Sequence, residues 1–509
     1  MPDTREQSDP RQRCRALQDT FFASRSLIIA ANRGPVTFQT AEDGSRSFTR
    51  GAGGLVTALT GLAQQIDATW IACARTEADM AWGQGDVPMG TGKHRGNIRV
   101  QFLAPEPEAY DRYYNVIANP LLWFLQHSMW NMPLAPVIDR STWLAWDDGY
   151  VAINQLFADA IVEQVRANGQ PTLVMLQDYH LYLAPRMVRG QMRPSERPVL
   201  MHFVHIPWPG AEYWRILPPA MRGAILEGLC GADIVGFQTH ADALNFMRTC
   251  QTHLNRVGVR YGRGRVWYRN HATHVRAFPV SIDVGRLKRL ARSQEVAQHR
   301  VDIENLVGDC QLILRIERIE PSKNIVRGFQ AFGEMLELYP EHRGKVKFLA
   351  LLVPSRLDVD EYRAYLDAVM AAAGQINAHY GSSNWEPVRV LVGESYPRAV
   401  AAMQRYDALL VNATADGMNL VAKEGPVVNR RDGTLVLSEG TGAREQLEPA
   451  ALVIPACDIY ATANALHRAL VMPAEERRER GQRLRTLVEE NDIEMWLCSQ
   501  LETVTRLKL

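Results

Sequence analysis

The chain has 509 residues, of which 46% are hydrophobic and 22% charged, and its formal net charge is +1. That length has room for roughly two to four domains of ordinary size, and the balance is that of a globular protein. With no excess of either charge, neither nucleic acid nor an anionic membrane is expected as a partner.

Seven Cys with no CxxC pair argue against a disulfide framework or a zinc site and fit a reducing compartment. The first residues, MPDTREQSDPRQRCR, are polar, and no apolar run of about 18 residues occurs anywhere. A cytoplasmic location is the expectation.

From Ser26 onward, short β-rich apolar runs alternate with helical patterns, which predicts parallel sheets covered on both faces. The first run, SLIIAA (26–31), puts Arg33 just past its end. RGAGGLVTAL (50–59) is a Gly-rich turn feeding a helix, and Gly54 there suits close approach by a phosphate or sugar. The segment is neither GxGxxG nor a P-loop, and GTGKHRG (90–96), lacking the Lys-Ser/Thr pair, reads as a surface loop. YYNVIANPLLWFLQH (113–127) reads as the aromatic core of a helix, with a sugar subsite lined by Tyr114 and Trp123 as the alternative. TLVMLQ (172–177) runs into QDYH, with Asp178 at the strand tip. VLMHFVHI (199–206) carries His205 into a Pro-rich loop, either as a core histidine or as a functional one. DIVGFQ (233–238) follows, and the Arg- and aromatic-rich RYGRGRVWYR (260–269) reads as a solvated hairpin.

FPVSIDVGRL (278–287) marks a boundary, giving an amino-terminal domain at 1–281. Beyond it a second set of runs predicts a second sheet: LILRI (312–316), FLALLV (348–353), VRVLVG (388–393), ALLVNA (408–413) and TLVLS (434–438). Ligands of open α/β sheets sit past the carboxyl ends of the strands, so the residues there carry the functional reading. RIERIEPSKN (315–324) supplies Arg318 and Lys323, a forked guanidinium and a mobile ammonium that suit a diphosphate. LLVPSR (351–356) ends in Arg356, a further phosphate candidate. DGMNLVAKE (416–424) joins a carboxylate, a bare backbone turn and a helix start. The Gly417–Leu420 amides can converge on one anion, Asp416 can accept from sugar hydroxyls, and Glu424 can take a ribose diol. A capped helix start with Asp416 as N-cap is the competing reading.

Together these segments resemble the trehalose-6-phosphate synthase family of retaining glycosyltransferases. The resemblance runs from NRGP (32–35) to NDIEMW (491–496), and YYN…LLW, DYH, HIPWP, the Arg-x4-Lys pair and DGMNLVAKE are its most specific pieces. It implies the GT-B fold: two Rossmann-like, doubly wound parallel-sheet domains facing across a cleft. The second domain would span 282–490, and a helix at 491–509 would pack back on the first. The reaction implied is transfer of glucose from UDP- or GDP-glucose to glucose 6-phosphate, giving trehalose 6-phosphate. Arg318, Lys323, His205 and Asp178 would serve catalysis. Gly54, Asp416, Gly417, Met418, Asn419, Leu420 and Glu424 would bind the donor; Arg33, Tyr114, Trp123, Asp178 and Arg356 the acceptor. No metal or other cofactor is implied, since cations and amides neutralise the leaving diphosphate. A homo-oligomer is compatible with the resemblance.

Departures from the family pattern fall at Cys73 (in TWIACART, where a WxGW-like segment is usual), at Gln177 (HDYH becomes QDYH) and at Asn324, where Gly commonly follows the Lys. HIPWPGAEYWRILP and VVNRRDGTLVLSEGTGA are also similar to validoxylamine-phosphate synthases, pseudo-glycosyltransferases that couple cyclitols. That reaction, glucosylglycerol-phosphate synthesis and a non-catalytic sugar-phosphate sensor are the alternatives.

Overall fold

The structure, a computed structural model, describes residues 9–40, 45–50, 68–88, 97–356 and 359–509. Gly54 with the rest of its Gly-rich turn, and the 90–96 loop, lie outside the described residues. The chain forms two compact units, Met1–Val280 with Glu494–Leu509, and Ser281–Ile493.

The first unit is built on a ten-stranded sheet and a two-stranded ribbon. In chain order its strands are β1 (Ser26–Ala30), β2 (Val36–Thr40), β3 (Arg46–Arg50), β4 (Ala68–Cys73), β5 (Gln84–Pro88), β6 (Asn97–Leu103), β7 (Thr172–Gln177), β8 (Val199–Phe203), β9 (Ile234–Phe237), β10 (Gly258–Arg260), β11 (Arg265–Tyr268) and β12 (His271–Ala277). The large sheet runs β10-β11-β12-β9-β8-β7-β1-β4-β6-β5, and β2 and β3 pair separately. Its centre is parallel, with antiparallel pairs only toward the two edges. The central strands are mostly apolar because both faces are covered: all six residues of β7, Thr172 and Gln177 included, are buried. The expected hairpin at 260–269 is the β10–β11 pair, closed by a tight turn at Tyr261–Arg263.

The carboxyl-terminal helix Ile493–Arg506 belongs to this unit. Its Trp496 donates from Nε1 to the Phe278 carbonyl at 3.0 Å and meets Phe203 edge-on, with ring centres 5.5 Å apart.

The second unit holds β13 (Gln311–Arg318), β14 (Val346–Val353), β15 (Val388–Val392), β16 (Ala408–Val411), β17 (Thr434–Ser438) and β18 (Leu452–Ile454) in the order β15-β14-β13-β16-β17-β18. Every pairing is parallel. This order reverses at β13, so the connections leaving β13 and β16 diverge and open a crevice at the carboxyl end, where a ligand can enter. The register pairs Arg318 with Val353, which brings the segment leading to Lys323 and the one leading to Arg356 out at the same edge. The core between this sheet and its helices is Ile, Leu, Val and Phe, with Phe329, Phe332 and Phe348 fully buried.

Candidate functional site

In the second unit the site begins with a charge that the strand pattern conceals. Arg315 lies in β13 and is fully buried. Its guanidinium donates to the backbone carbonyls of Lys323 and Asn324, both at 3.4 Å. Gly328 leaves it room: a Cβ there would stand 3.0 Å from an Arg315 nitrogen. Arg315 thus props the turn that presents Lys323. Sequence reading missed this role, although a charged residue facing inward within LILRI was the available signal.

Asn324 adopts the left-handed conformation, φ 59° and ψ 37°. Apart from Gly, Asn tolerates that region best, which explains why Asn can stand where Gly is common. Its side-chain amide also donates to the carbonyls of Asn412 (2.9 Å) and Ala456 (2.6 Å), tying the turn to the chain leaving β16.

Lys323 reaches Asp416 at 2.5 Å and Glu317 at 3.9 Å, and all three side chains are nearly buried. Burial opposes the ammonium charge, but Asp416 and Glu317 outweigh it and raise the Lys323 pKa above its usual value. Burial pushes the Glu317 carboxyl up, with Lys323 working against that shift. Asn419, at φ 68°, donates one amide to both Glu317 and Asp416 at 3.0 Å, while its oxygen accepts from the Ala422 amide. The helix Val421–Val428 has Leu420 at its N-cap position with no side-chain cap, so the reading of Asp416 as N-cap is corrected. Asp416 is instead fixed by its backbone, whose amide donates to the Gly440 carbonyl and whose carbonyl accepts from Gly442. This approach requires glycine at 440, where a Cβ would fall 2.2 Å from the Thr414 carbonyl.

Among the described residues, the amides of Gly417, Met418, Asn419 and Leu420 donate to no hydrogen-bond acceptor. Gly417, Met418 and Asn419 are nevertheless buried. A run of donors beside a Lys and a helix start is an arrangement chemically suited to an anion.

Arg318 is half exposed and is steered by Glu320, which is fully buried and lies 3.1 Å from its Nε. Arg356, also in this unit, donates to the Tyr362 hydroxyl at 2.6 Å. Glu424 accepts from the Tyr396 hydroxyl at 2.9 Å, and desolvation pushes its pKa up to about 7. Its neighbour Lys423 is fully buried and is pushed down to about 7 by desolvation.

The first unit gathers a second cluster at the ends of β7 and β8. Asp178 sits at φ 69° and ψ 178°, a strained setting for a non-glycine residue. Its backbone holds it there: its amide donates to the Phe203 carbonyl at 2.7 Å. Its carboxylate then accepts from the His205 amide at 3.1 Å.

The His205 ring lies between two glutamines. Nε2 is 2.9 Å from the Gln177 side-chain oxygen, and Nδ1 is 3.4 Å from the Gln238 side-chain nitrogen. Gln238 cannot turn over, because its oxygen accepts from the Val280 amide at 2.9 Å. The proton of His205 therefore resides on Nε2 and Nδ1 accepts. Burial pushes the His205 pKa down to about 3, so the ring is neutral. Gln177, a departure from the family pattern, thus has a definite place as acceptor for His205. Gln238 was not legible in the sequence.

Tyr114 accepts from Arg33 at 3.2 Å and stacks on Tyr110 and His180. Trp123 is only 5% exposed and stacks on His127 at 4.0 Å, which makes it chiefly a wall of that helix. Cys73 ends β4 fully buried, so the change from the family's Trp acts within the core.

The profile of glycosyltransferase family 20 matches residues 25–506. The chain is 31% identical over 492 residues, 96% of itself and 92% of the relative, to a protein of Schizosaccharomyces pombe named alpha,alpha-trehalose-phosphate synthase [UDP-forming]. It is 34% identical to a trehalose-6-phosphate synthase of Mycobacterium sp. (strain JLS), over 95% of this chain and 96% of that one. Its fold matches, with TM-score 0.78 and 27% identity over 94% and 98% of the two chains, a solved E. coli structure described as bound with UDP-2-fluoro glucose. Together with the two parallel sheets, these matches give the chain the GT-B fold. No helix among the described residues is long and apolar enough to cross a membrane.

Proposed function

The chain belongs to glycosyltransferase family 20, and on that premise we propose that it moves glucose from UDP-glucose to glucose 6-phosphate, forming trehalose 6-phosphate and UDP. The observation that carries this reading is the run of spare amides at Gly417–Leu420 beside Lys323 and Arg318. A nucleoside diphosphate leaving group needs fixed positive charge and N–H dipoles where its oxygen becomes anionic.

In this reading Arg318 and Lys323 neutralise the diphosphate, with Arg315 and Asp416 holding Lys323 in place. The Gly417–Leu420 amides take the β-phosphate and sugar hydroxyls, and ionised Glu424 takes the ribose diol. Asp178 and neutral His205 bind sugar hydroxyls. In the first unit Arg33, Tyr114 and Trp123 take the acceptor; in the second, Arg356 is a further cation suited to a sugar phosphate.

The C1–oxygen bond to the diphosphate breaks as the O1 hydroxyl of glucose 6-phosphate attacks C1 on the same face. Its proton passes to the departing phosphate oxygen, so configuration is retained. His205, whose proton is committed to Gln177, orients rather than exchanges protons. The site works with no protein nucleophile and no metal.

The test is a donor-by-acceptor matrix with mass analysis of products. UDP release that depends on glucose 6-phosphate, with a phosphorylated disaccharide formed, supports the reading. Absence of turnover across UDP-, GDP- and ADP-glucose with glucose 6-phosphate refutes it.

A further inference from the structure

A second cluster in the carboxyl-terminal unit takes no part in this chemistry. The helix Ile325–Leu338 starts directly after Lys323 and Asn324 and runs away from them for 14 residues, about 20 Å. Just past its far end a tight turn, Pro340–His342, carries Glu341 and His342. The helix Ile459–Val471 lies alongside and presents His467. His342 Nε2 and His467 Nδ1 face each other at 2.9 Å. A carboxylate oxygen of Glu341 completes a group whose ligand atoms all lie within 4.8 Å of one another.

The imidazoles are held before any ion arrives. His467 stacks face to face on Tyr339, ring centres 3.6 Å apart and planes 6° from parallel. The Tyr339 hydroxyl donates to Asn464, one turn before His467 on the same helix. His342 is buried, 5% exposed, and its amide donates to the Tyr339 carbonyl at 3.1 Å. Glu341 is exposed.

We infer that Glu341, His342 and His467 form a three-ligand site for a divalent transition ion of the zinc type, clamping the Pro340–His342 turn to the helix Ile459–Val471. Two imidazoles and a carboxylate are a donor set that suits zinc, leaving a fourth position for water. Ligand bonds of about 2.0–2.1 Å in a tetrahedron separate two nitrogens by roughly 3.3 Å. The rings need only part by a few tenths of an ångström, the ion replacing the hydrogen bond between them. The carboxylate, on an exposed side chain, closes the remaining gap. An ion here lies a helix length from Lys323 and holds the unit together; it does not touch the sugar nucleotide.

The test uses the full chain, freed of metal by a chelator and titrated with zinc chloride by calorimetry. Cobalt(II) absorption serves as a second readout. One ion per chain is expected, with cobalt showing the intense visible bands of a four- or five-coordinate nitrogen and oxygen site. Zinc should raise the melting temperature. Glu341→Gln and His467→Asn, both at positions outside the buried core, should each weaken the ion at least about tenfold and abolish the melting shift, leaving transfer activity unchanged. Cys457→Ser removes the exposed thiol and should bind zinc like the parent. Binding equally tight in both ligand variants, or lost in Cys457→Ser alone, would overturn the assignment, as would no binding by the parent chain.

Discussion

Replacing Lys323 by Met tests the centre of the proposed donor site. The ammonium lies 2.5 Å from Asp416 and 3.9 Å from Glu317, with side-chain exposures of 9, 12 and 4%. Without it, two nearly buried carboxylates face each other across the Asn419 amide. Removing one partner of a buried pair costs about 3–5 kcal/mol, because the remaining charge is left uncompensated. In a unit of about 200 residues each kcal/mol lowers the melting point by about 2–4 °C, so the loss should be roughly 6–20 °C. The Glu317 pKa is already raised by burial, and the missing ammonium raises it further. A carboxyl raised in the folded state stabilises below its unfolded pKa and loses that contribution as pH rises through the folded one. The deficit of the variant should therefore shrink as pH falls from 7 toward 5. Turnover, measured below both melting points by UDP release, should fall by a further factor of about 10²–10³. The double variant Lys323→Met/Asp416→Asn should regain stability but not rate. A single variant that melts within about 2 °C of the parent and turns over within a factor of about three would refute both the buried triad and its place at the diphosphate.

Arg318→Ala should fold normally, since the side chain is half exposed, and lose about 2–4 kcal/mol of transition-state stabilisation in kcat/KM. Gln177→Leu strands the His205 Nε2 proton and should cost about 1–3 kcal/mol of stability in denaturant titrations. Nitrogen NMR should show His205 neutral and protonated on Nε2 from pH 5 to 8 in the parent. Because the Glu424 carboxyl is raised to about 7, UDP-glucose affinity should rise as pH climbs through that value. Glu424→Gln should bind weakly and without that dependence, as calorimetry at several pH values will check.

The strands SLIIAA, TLVMLQ, FLALLV and ALLVNA were legible because a parallel strand covered on both faces holds mostly apolar side chains, so burial writes itself into the sequence as a nearly continuous apolar run. Their charged and Gly-rich ends were legible for the same reason: only past the carboxyl end does the backbone become free to bind. The motif residues Lys323, Asp416 and Asn419 were therefore identifiable as a group of candidates. What held them together was not. Arg315 under the Lys323 turn binds only backbone carbonyls, which every residue possesses, while Glu317 meets Asn419 and Gln238 meets His205 across long stretches of chain. The edge pair β5–β6 was likewise lost in mixed composition, since one-sided burial leaves a weaker trace. Chain order alone determined which chemistry was available; the tertiary structure decided which atoms face one another, because a hydrogen bond depends on angles and distances set by packing that no local pattern encodes.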